Sequence, residues 1–274
     1  MQIVDAKGAR IPQIGFGTWQ LRGAECATLV REALRIGYRH VDTAQAYENE
    51  AEVGDGLKAA GLPRNDVFVT TKLVLRLTPP KDFVKATKES LTRLKLSDVD
   101  LLLLHWPPLP PMMLKETLDA LVEVKKAGLT RHIGASNFTS GQLDESTKLI
   151  SEPLVCNQVE IHPYLDQTKV LAACRRLGMG AVAYCPIARG KINDDAVIAG
   201  VAKSHGKSVA QVTLRWLLQQ GIIIIPRTSK VERAKENFAV FDFELTPAEM
   251  KAISGLTQAG GRIVSPAWAP VWDN

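Results

Sequence analysis

One alternation runs through this chain and restricts its fold more than anything else in the sequence. Short apolar runs end in polar residues, and each is followed by a stretch with helical periodicity. The runs are residues 14–17, 39–41, 67–70, 99–104, 132–135, 155–159, 180–183 and 222–225. The helical stretches are 24–36, 50–60, 81–94, 114–127, 140–149, 167–177, 194–204 and 231–237, with extra helices at 209–220 and 246–255. Thr246, Pro247 and Glu249 form a capping-box start for the last of these. Residues 2–4 and 10–12 flank Ala6-Lys7-Gly8 and predict a small hairpin before the first run. Eight short strands alternating with eight helices predict an α/β protein, a (β/α)8 TIM barrel with an N-terminal β-hairpin and extra C-terminal helices. A doubly wound open sheet is the alternative. It would announce itself with GxGxxG opening a helix after the first strand. The first run instead continues Gly15-Phe16-Gly17-Thr18-Trp19-Gln20, without the third glycine. No linker-like stretch divides the chain, so residues 1–274 are expected to form one domain, with residues 256–274 irregular.

Several function classes fall away at this point. No apolar run approaches the length of a membrane span, and the N-terminus lacks the pattern of a signal peptide, so neither a membrane nor export is expected. Cys26, Cys156, Cys174 and Cys185 have neither CxxC spacing nor a companion histidine cluster. Neither a disulfide framework nor a metal site is expected, and the cytoplasm fits best. The net charge of +5 is spread along the chain without a Lys/Arg tract. That favours solvated faces and a local site for an anionic small molecule over nucleic acid.

In a barrel of this kind, chemistry sits where strands end. The strand ends collect Trp19, Asp42 with Tyr47, Lys72, His105 with Trp106, Ser136-Asn137, Gln158, Tyr184 and Arg227. A phenol is a weak acid that donates usefully near neutrality only if a cation favours its anion. Lys72, on the strand next to the one bearing Asp42, is that cation, and Asp42 is its counter-charge. Each residue alone has a plainer reading as a rim lysine, a turn-capping aspartate, a core histidine or a packed tyrosine. Their placement on three successive strand ends makes a shared site the better reading.

Gly15-Phe16-Gly17-Thr18-Trp19, residues 42–50 (DTAQAYENE), Thr71-Lys72-Leu73 and residues 102–107 (LLLHWP) resemble motifs of the aldo-keto reductase superfamily. So do residues 133–138 (IGASNF), Asn157-Gln158-Val159-Glu160 and residues 225–237 (IPRTSKVERAKEN). The match spans nearly the whole chain in order. It is most similar to bacterial members, including 2,5-diketo-gluconic acid reductases. The resemblance implies NADPH-dependent reduction of aldehydes, ketones, ketoesters or keto-sugar acids by a catalytic set of Asp42, Tyr47, Lys72 and His105. Tyr47 would be the acid, Lys72 would lower its pKa, Asp42 would hold Lys72, and His105 would orient the carbonyl. No metal is implied.

The resemblance also implies a cofactor site. Gly17, Thr18, Trp19 and Asp42 line it at the first two strands. Ser136, Asn137 and Gln158 hold the carboxamide, and Tyr184 stacks on the nicotinamide. Pro186, Ile187, Arg189 and Gly190 come from the loop after Tyr184. Pro226, Arg227, Thr228, Ser229 and Arg233 hold the 2′-phosphate, and Glu236 and Asn237 the adenine end. Two arginines and a hydroxyl before a helix read independently as an anion site. Substrate walls are expected from Trp19, Tyr47, Val74, His105, Trp106 and Trp268. Arg227 stands where the family usually has lysine, which leaves some use of NADH open. Val74 stands where many members have tryptophan, which widens one wall. The short loop after Tyr184 predicts incomplete closure over the cofactor. A monomer acting on a small carbonyl compound is expected. The alternatives are a Schiff-base aldolase or lyase using Lys72 and a non-catalytic nucleotide-sensing barrel.

Overall fold

The structure is a computed structural model that describes residues 2–273. A hairpin of β1 (Ile3–Ala6) and β2 (Ala9–Pro12) opens the chain, turning at Lys7-Gly8. Eight parallel strands follow: β3 (Phe16–Gly17), β4 (His40–Asp42), β5 (Phe68–Leu73), β6 (Val99–Leu104), β7 (Thr130–Ser136), β8 (Leu154–Glu160), β9 (Gly180–Tyr184) and β10 (Ile223–Ile224). They pair in sequence order. The ring closes where Gly15 N donates to Ile224 O (2.8 Å), Ile224 N to Gln13 O (2.9 Å) and Gly17 N to Pro226 O (3.1 Å). The expected (β/α)8 fold is the one observed.

The helices α1 (Gly23–Ile36), α2 (Glu50–Ala60), α3 (Phe83–Leu94), α4 (Leu114–Lys126), α5 (Ser140–Leu149) and α6 (Thr168–Arg176) each follow a strand. So do α7 (Ala196–His205), with the extra α8 (Val209–Gln219) behind it, and α9 (Val231–Phe238) after β10; α10 (Pro247–Ser254) ends the set. The Thr246–Glu249 capping box forms as read. Helix α3 starts later than expected, because Pro79-Pro80 direct a 3-10 turn first. No helix among the described residues is long and apolar enough to cross a membrane.

Strand alternation sorts the side chains into two cores. Val69, Leu102, Leu104, Ile133 and Ala183 pack outward against the helices. Phe68, Leu101, Leu103, Val182 and Ile223 point inward and meet Ala9 and Ile11 of the hairpin, which stop the barrel's lower end. The same period carries His40 and Phe68 low in the barrel, with Asp42 two residues above His40 and Lys72 four above Phe68. The top of the interior is therefore polar and the floor is not. Gly17 is needed for closure, since a Cβ there would lie 2.8 Å from Ile225 O.

Candidate active site

Asp42 is the last residue of β4, and Lys72 lies inside β5 rather than after it, because β5 runs on to Leu73. A strand position holds an amine more rigidly than a loop does. Lys72 Nζ donates to Asp42 Oδ1 at 2.5 Å, to Thr43 O at 2.8 Å and to Tyr47 Oη at 3.4 Å. Lys72 is wholly buried and Asp42 is 1% exposed. The other carboxylate oxygen of Asp42 accepts from Gln158 Nε2 at 2.7 Å. A buried carboxylate and ammonium are thus each satisfied by a charge and a neutral partner, as burial demands. Tyr47 and His105 meet edge to face, their ring centroids 5.7 Å apart. The four residues expected to share a site do so.

The expected lowering of the Tyr47 pKa is not seen. Enclosure is the largest influence on the phenol and the Asp42 charge the second, and both push its pKa well above 10.0. The reason is that Lys72 is already neutralised by Asp42. Burial likewise lowers the pKa of Lys72, and Asp42 opposes that. Burial, aided by Lys72, depresses the His105 imidazole from 6.5 to about 3. Near neutrality the phenol therefore keeps its proton and the imidazole is uncharged. Because the unfolded chain takes up the His105 proton first, stability is expected to fall as pH drops from 6.5 toward 3. His105→Asn should flatten that slope by at most about 1.4 kcal/mol per pH unit, measured by denaturant titration at pH 7, 6 and 5.

The loop that carries Tyr47 is braced by residues whose sequence gave no hint of their partners. Asn49 Nδ2 donates to Thr18 O and Leu21 O, and Thr43 Oγ1 donates to Asn49 Oδ1. Gln45 bonds Ala86 O, Ser90 Oγ and Val74 N, while Glu50 accepts from Thr71 and pairs with Arg93. Arg22 donates to Tyr47 O.

On the far side of Asp42, Asn137 Nδ2 donates to His105 O (2.9 Å) and to Ser136 Oγ (3.1 Å). Its Oδ1 accepts from Tyr184 Oη (2.7 Å). Asn137 adopts a left-handed φ of 62°, which suits asparagine. Ser136, Asn137, Gln158 and Tyr184 thus form one connected patch. With Gln158 Nε2 given to Asp42, Oε1 is left to accept from an amide, and this donor set fits a carboxamide.

The expected anion site is more divided. Arg227 Nε donates to Trp19 O at 3.0 Å and Nη2 reaches Gln20 O at 3.5 Å, so its guanidinium braces the loop after β3 instead of turning toward Arg233. A planar fork reaches two carbonyls where a point charge would not. Thr228 Oγ1 accepts from Lys230 N at 3.1 Å, and α9 begins without a side-chain cap. Thr228, exposed Ser229, exposed Arg233 and the uncapped first turn of α9 remain as donors able to hold an anion. Glu236 is half-buried and Asn237 is buried near the end of the same helix. Buried Pro226 accepts from Gly17 N across the seam between β10 and β3, and buried Thr18 donates to Asp42 O through its N–H (3.0 Å) and its hydroxyl (2.9 Å).

The loop after β9 reaches across to the loop after β3. Although short, it turns through left-handed backbone at Cys185, Ala188, Arg189 and Gly190 and places the Arg189 guanidinium 4.8 Å over the Trp19 ring. In the same loop Pro186 is buried and Ile187 half-buried.

A cavity of about 420 Å³ opens beside His105 and is lined by Ala46, Val74, Trp106, Met112 and Trp268, with Arg76 also at its wall. Trp268 meets Trp106 edge to face at 4.7 Å. Trp19 is not a wall of this cavity. It is 38% exposed and lies beneath Arg189, because the barrel mouth separates β3 from the loop after β6. Tyr47 is not a wall of the cavity either, because its ring packs edge to face behind His105, which is one.

Residues 13–258 match the model of the Aldo/keto reductase family. Methylglyoxal reductase DkgB of Escherichia coli O157:H7 is 38% identical over 266 residues, covering 96% of this chain and 99% of its own length. A crystal structure assigned as a 2,5-diketo-D-gluconic acid reductase B is 48% identical, with a TM-score of 0.97 over 100% of this chain and 98% of that one. The Bombyx mori aldo-keto reductase, solved in complex with NADP, is 31% identical, with a TM-score of 0.90 over 97% of this chain and 95% of that one.

Proposed function

This chain belongs to the aldo/keto reductase family of oxidoreductases, and from that membership we propose that it reduces small aldehydes and ketones to alcohols with NADPH, the proton coming from Tyr47. The observation that carries the reading is the row Asp42–Lys72–Tyr47–His105, with Lys72 Nζ 3.4 Å from the phenol and His105 on the wall of the cavity.

A bound nicotinamide supplies the hydride. The chain's own residues do the rest. His105, uncharged, donates a hydrogen bond to the carbonyl oxygen and fixes its direction. Tyr47 gives its proton to that oxygen as negative charge develops there. Lys72, held charged by Asp42, then stabilises the phenolate that is left. Trp106 and Val74, beside His105 on the cavity wall, keep water from the reacting centre. Ser136, Asn137 and Gln158 hold the carboxamide, and Tyr184 packs against the ring. The substrates proposed are those a mainly apolar cavity accepts: simple aldehydes, ketoesters and short dicarbonyls. Keto-sugar acids are included because one relative is described as acting on one and Arg76 lies at the wall.

NADPH oxidation against a panel of aldehydes, methylglyoxal, α-ketoesters and keto-sugar acids tests the reading. Absence of turnover across the panel would sink it. A Schiff base on Lys72 is disfavoured, because Nζ is wholly buried and already has three partners.

The anion site makes a second measurable claim. Arg233→Ala should weaken NADPH by about tenfold or more, as loss of a charged hydrogen bond does, and leave NADH nearly unchanged. Arg227→Ala should weaken both alike, because Arg227 braces Trp19. Fluorescence titration with each nucleotide reads the difference. A selective NADPH loss in Arg227→Ala would return that residue to the phosphate.

A further inference from the structure

Glu160 and the tail after α10 take no part in the chemistry proposed above, yet they are built onto each other. Glu160 ends β8, fully buried, in register with Tyr184. Its Oε1 accepts from His162 Nε2 at 2.8 Å and from Ile263 N at 2.6 Å, and its Oε2 accepts from Val264 N at 2.7 Å. Burial opposes the charge of this carboxylate, but the three N–H donors outweigh it and hold its pKa below the ordinary value.

The tail has no helix or strand to satisfy its own backbone, so its N–H groups need partners from elsewhere. The segment after β8 provides several. Gln258 N donates to Tyr164 O (3.2 Å) and Thr257 Oγ1 to Pro163 O (3.3 Å). Gly261 lies so close that a Cβ would stand 1.8 Å from Tyr164 O. At its far end the tail is tied again, where Asp273 accepts from Ser140 N (2.6 Å) and Ser140 Oγ (2.9 Å). Between the two ties lie Trp268, on the cavity wall against Trp106, and Trp272, stacked on Arg262 at 3.8 Å.

We propose that Glu160 is a positioning residue for the substrate: by holding the N–H groups of Ile263 and Val264 it fixes the tail so that Trp268 forms the wall of the cavity beside Trp106 and His105. This rests on the reading that the cavity receives the carbonyl compound. A substrate too small to touch Trp268 does not depend on this latch, and one that fills the cavity does.

Glu160→Gln replaces one acceptor with a donor that faces backbone N–H groups. Val264→Pro removes an N–H from the other side without disturbing the barrel's interior. Steady-state kinetics with NADPH should compare propanal with 4-nitrobenzaldehyde. Both variants are expected to raise KM for 4-nitrobenzaldehyde about tenfold. The kinetic constants for propanal and the affinity for NADPH should stay within about twofold of the unmodified protein, since neither contact is made by the tail.

In a chain ending at Val264 the KM for 4-nitrobenzaldehyde is already raised, and adding Glu160→Gln should raise it no further. Equal changes for the two aldehydes, or an additive effect in the shortened chain, would overturn the role given to Glu160 while leaving the reductase reading intact. No turnover of either aldehyde by the unmodified protein would overturn that reading, and this inference with it. If Glu160→Gln does not fold, Val264→Pro alone decides: an unchanged KM for 4-nitrobenzaldehyde refutes the latch.

Discussion

Tyr47→Phe is expected to lower kcat for carbonyl reduction about a thousandfold, within the range that a positioned acid contributes. NADPH affinity should be almost unaffected. The substitution removes one oxygen and keeps the ring against His105, so the loss is not one of packing. No other group in the site can replace the proton. His105, with its pKa near 3, carries none to spare near neutrality. Lys72 is wholly buried behind Asp42 and Thr43 O. The phenol is protonated because its surroundings raise its pKa, and donation becomes favourable only when the carbonyl oxygen turns basic as hydride arrives. Tyr47 should therefore show no titration of kcat below pH 10.0. Single-turnover reduction followed by NADPH absorbance, beside a nucleotide titration, separates the two effects. Retention of more than about a tenth of the activity would exceed what loss of a general acid permits and would move the proton source elsewhere.

Much of this was legible because β-structure repeats every two residues. Once Asp42, Lys72 and His105 were placed at successive strand ends, alternation alone turned all three toward the inside of the ring. Helix starts with side-chain caps, such as Thr246, were equally readable. What sequence could not give was the division of a polar atom's few bonds among several claimants. Gln158 spends its amide nitrogen on Asp42, and Arg227 spends its guanidinium on Trp19 and Gln20. Both partners are distant in the chain, and neither choice leaves a local pattern. The direction of the Tyr47 shift failed for a related reason. A nearby cation and burial oppose each other, and which prevails depends on how far the cation is already neutralised. The tail was unreadable for want of periodicity, and its docking onto Glu160 is written only in backbone N–H groups, which every residue but proline has.

Asp42→Asn is expected to cost stability as well as activity, by about 3–5 kcal/mol, because it strands a buried cation. Lys72 has no exposure, and Asp42 is the leading influence that opposes the effect of burial on its charge. An amide can still accept from Lys72 Nζ, but it brings no charge. The double variant Asp42→Asn/Lys72→Met removes the cation too and fills its volume with apolar atoms. It should recover most of the lost stability, to within about 1–2 kcal/mol of the unmodified protein, while remaining inactive. The two variants should also differ in their response to pH. In the single variant Lys72 escapes the penalty by losing its proton, so its folded pKa falls further below 10.5. The unfolded chain then holds more protons than the folded one, and stability rises with pH until Lys72 is neutral in both states. The double variant lacks this group and should lack the slope. Urea denaturation of both variants at pH 7 and pH 9 measures the pair of effects. If the double variant is no more stable than the single one, the destabilisation comes from broken hydrogen bonds to Gln158 and Thr43, and the charge of Asp42 is not what keeps Lys72 in place.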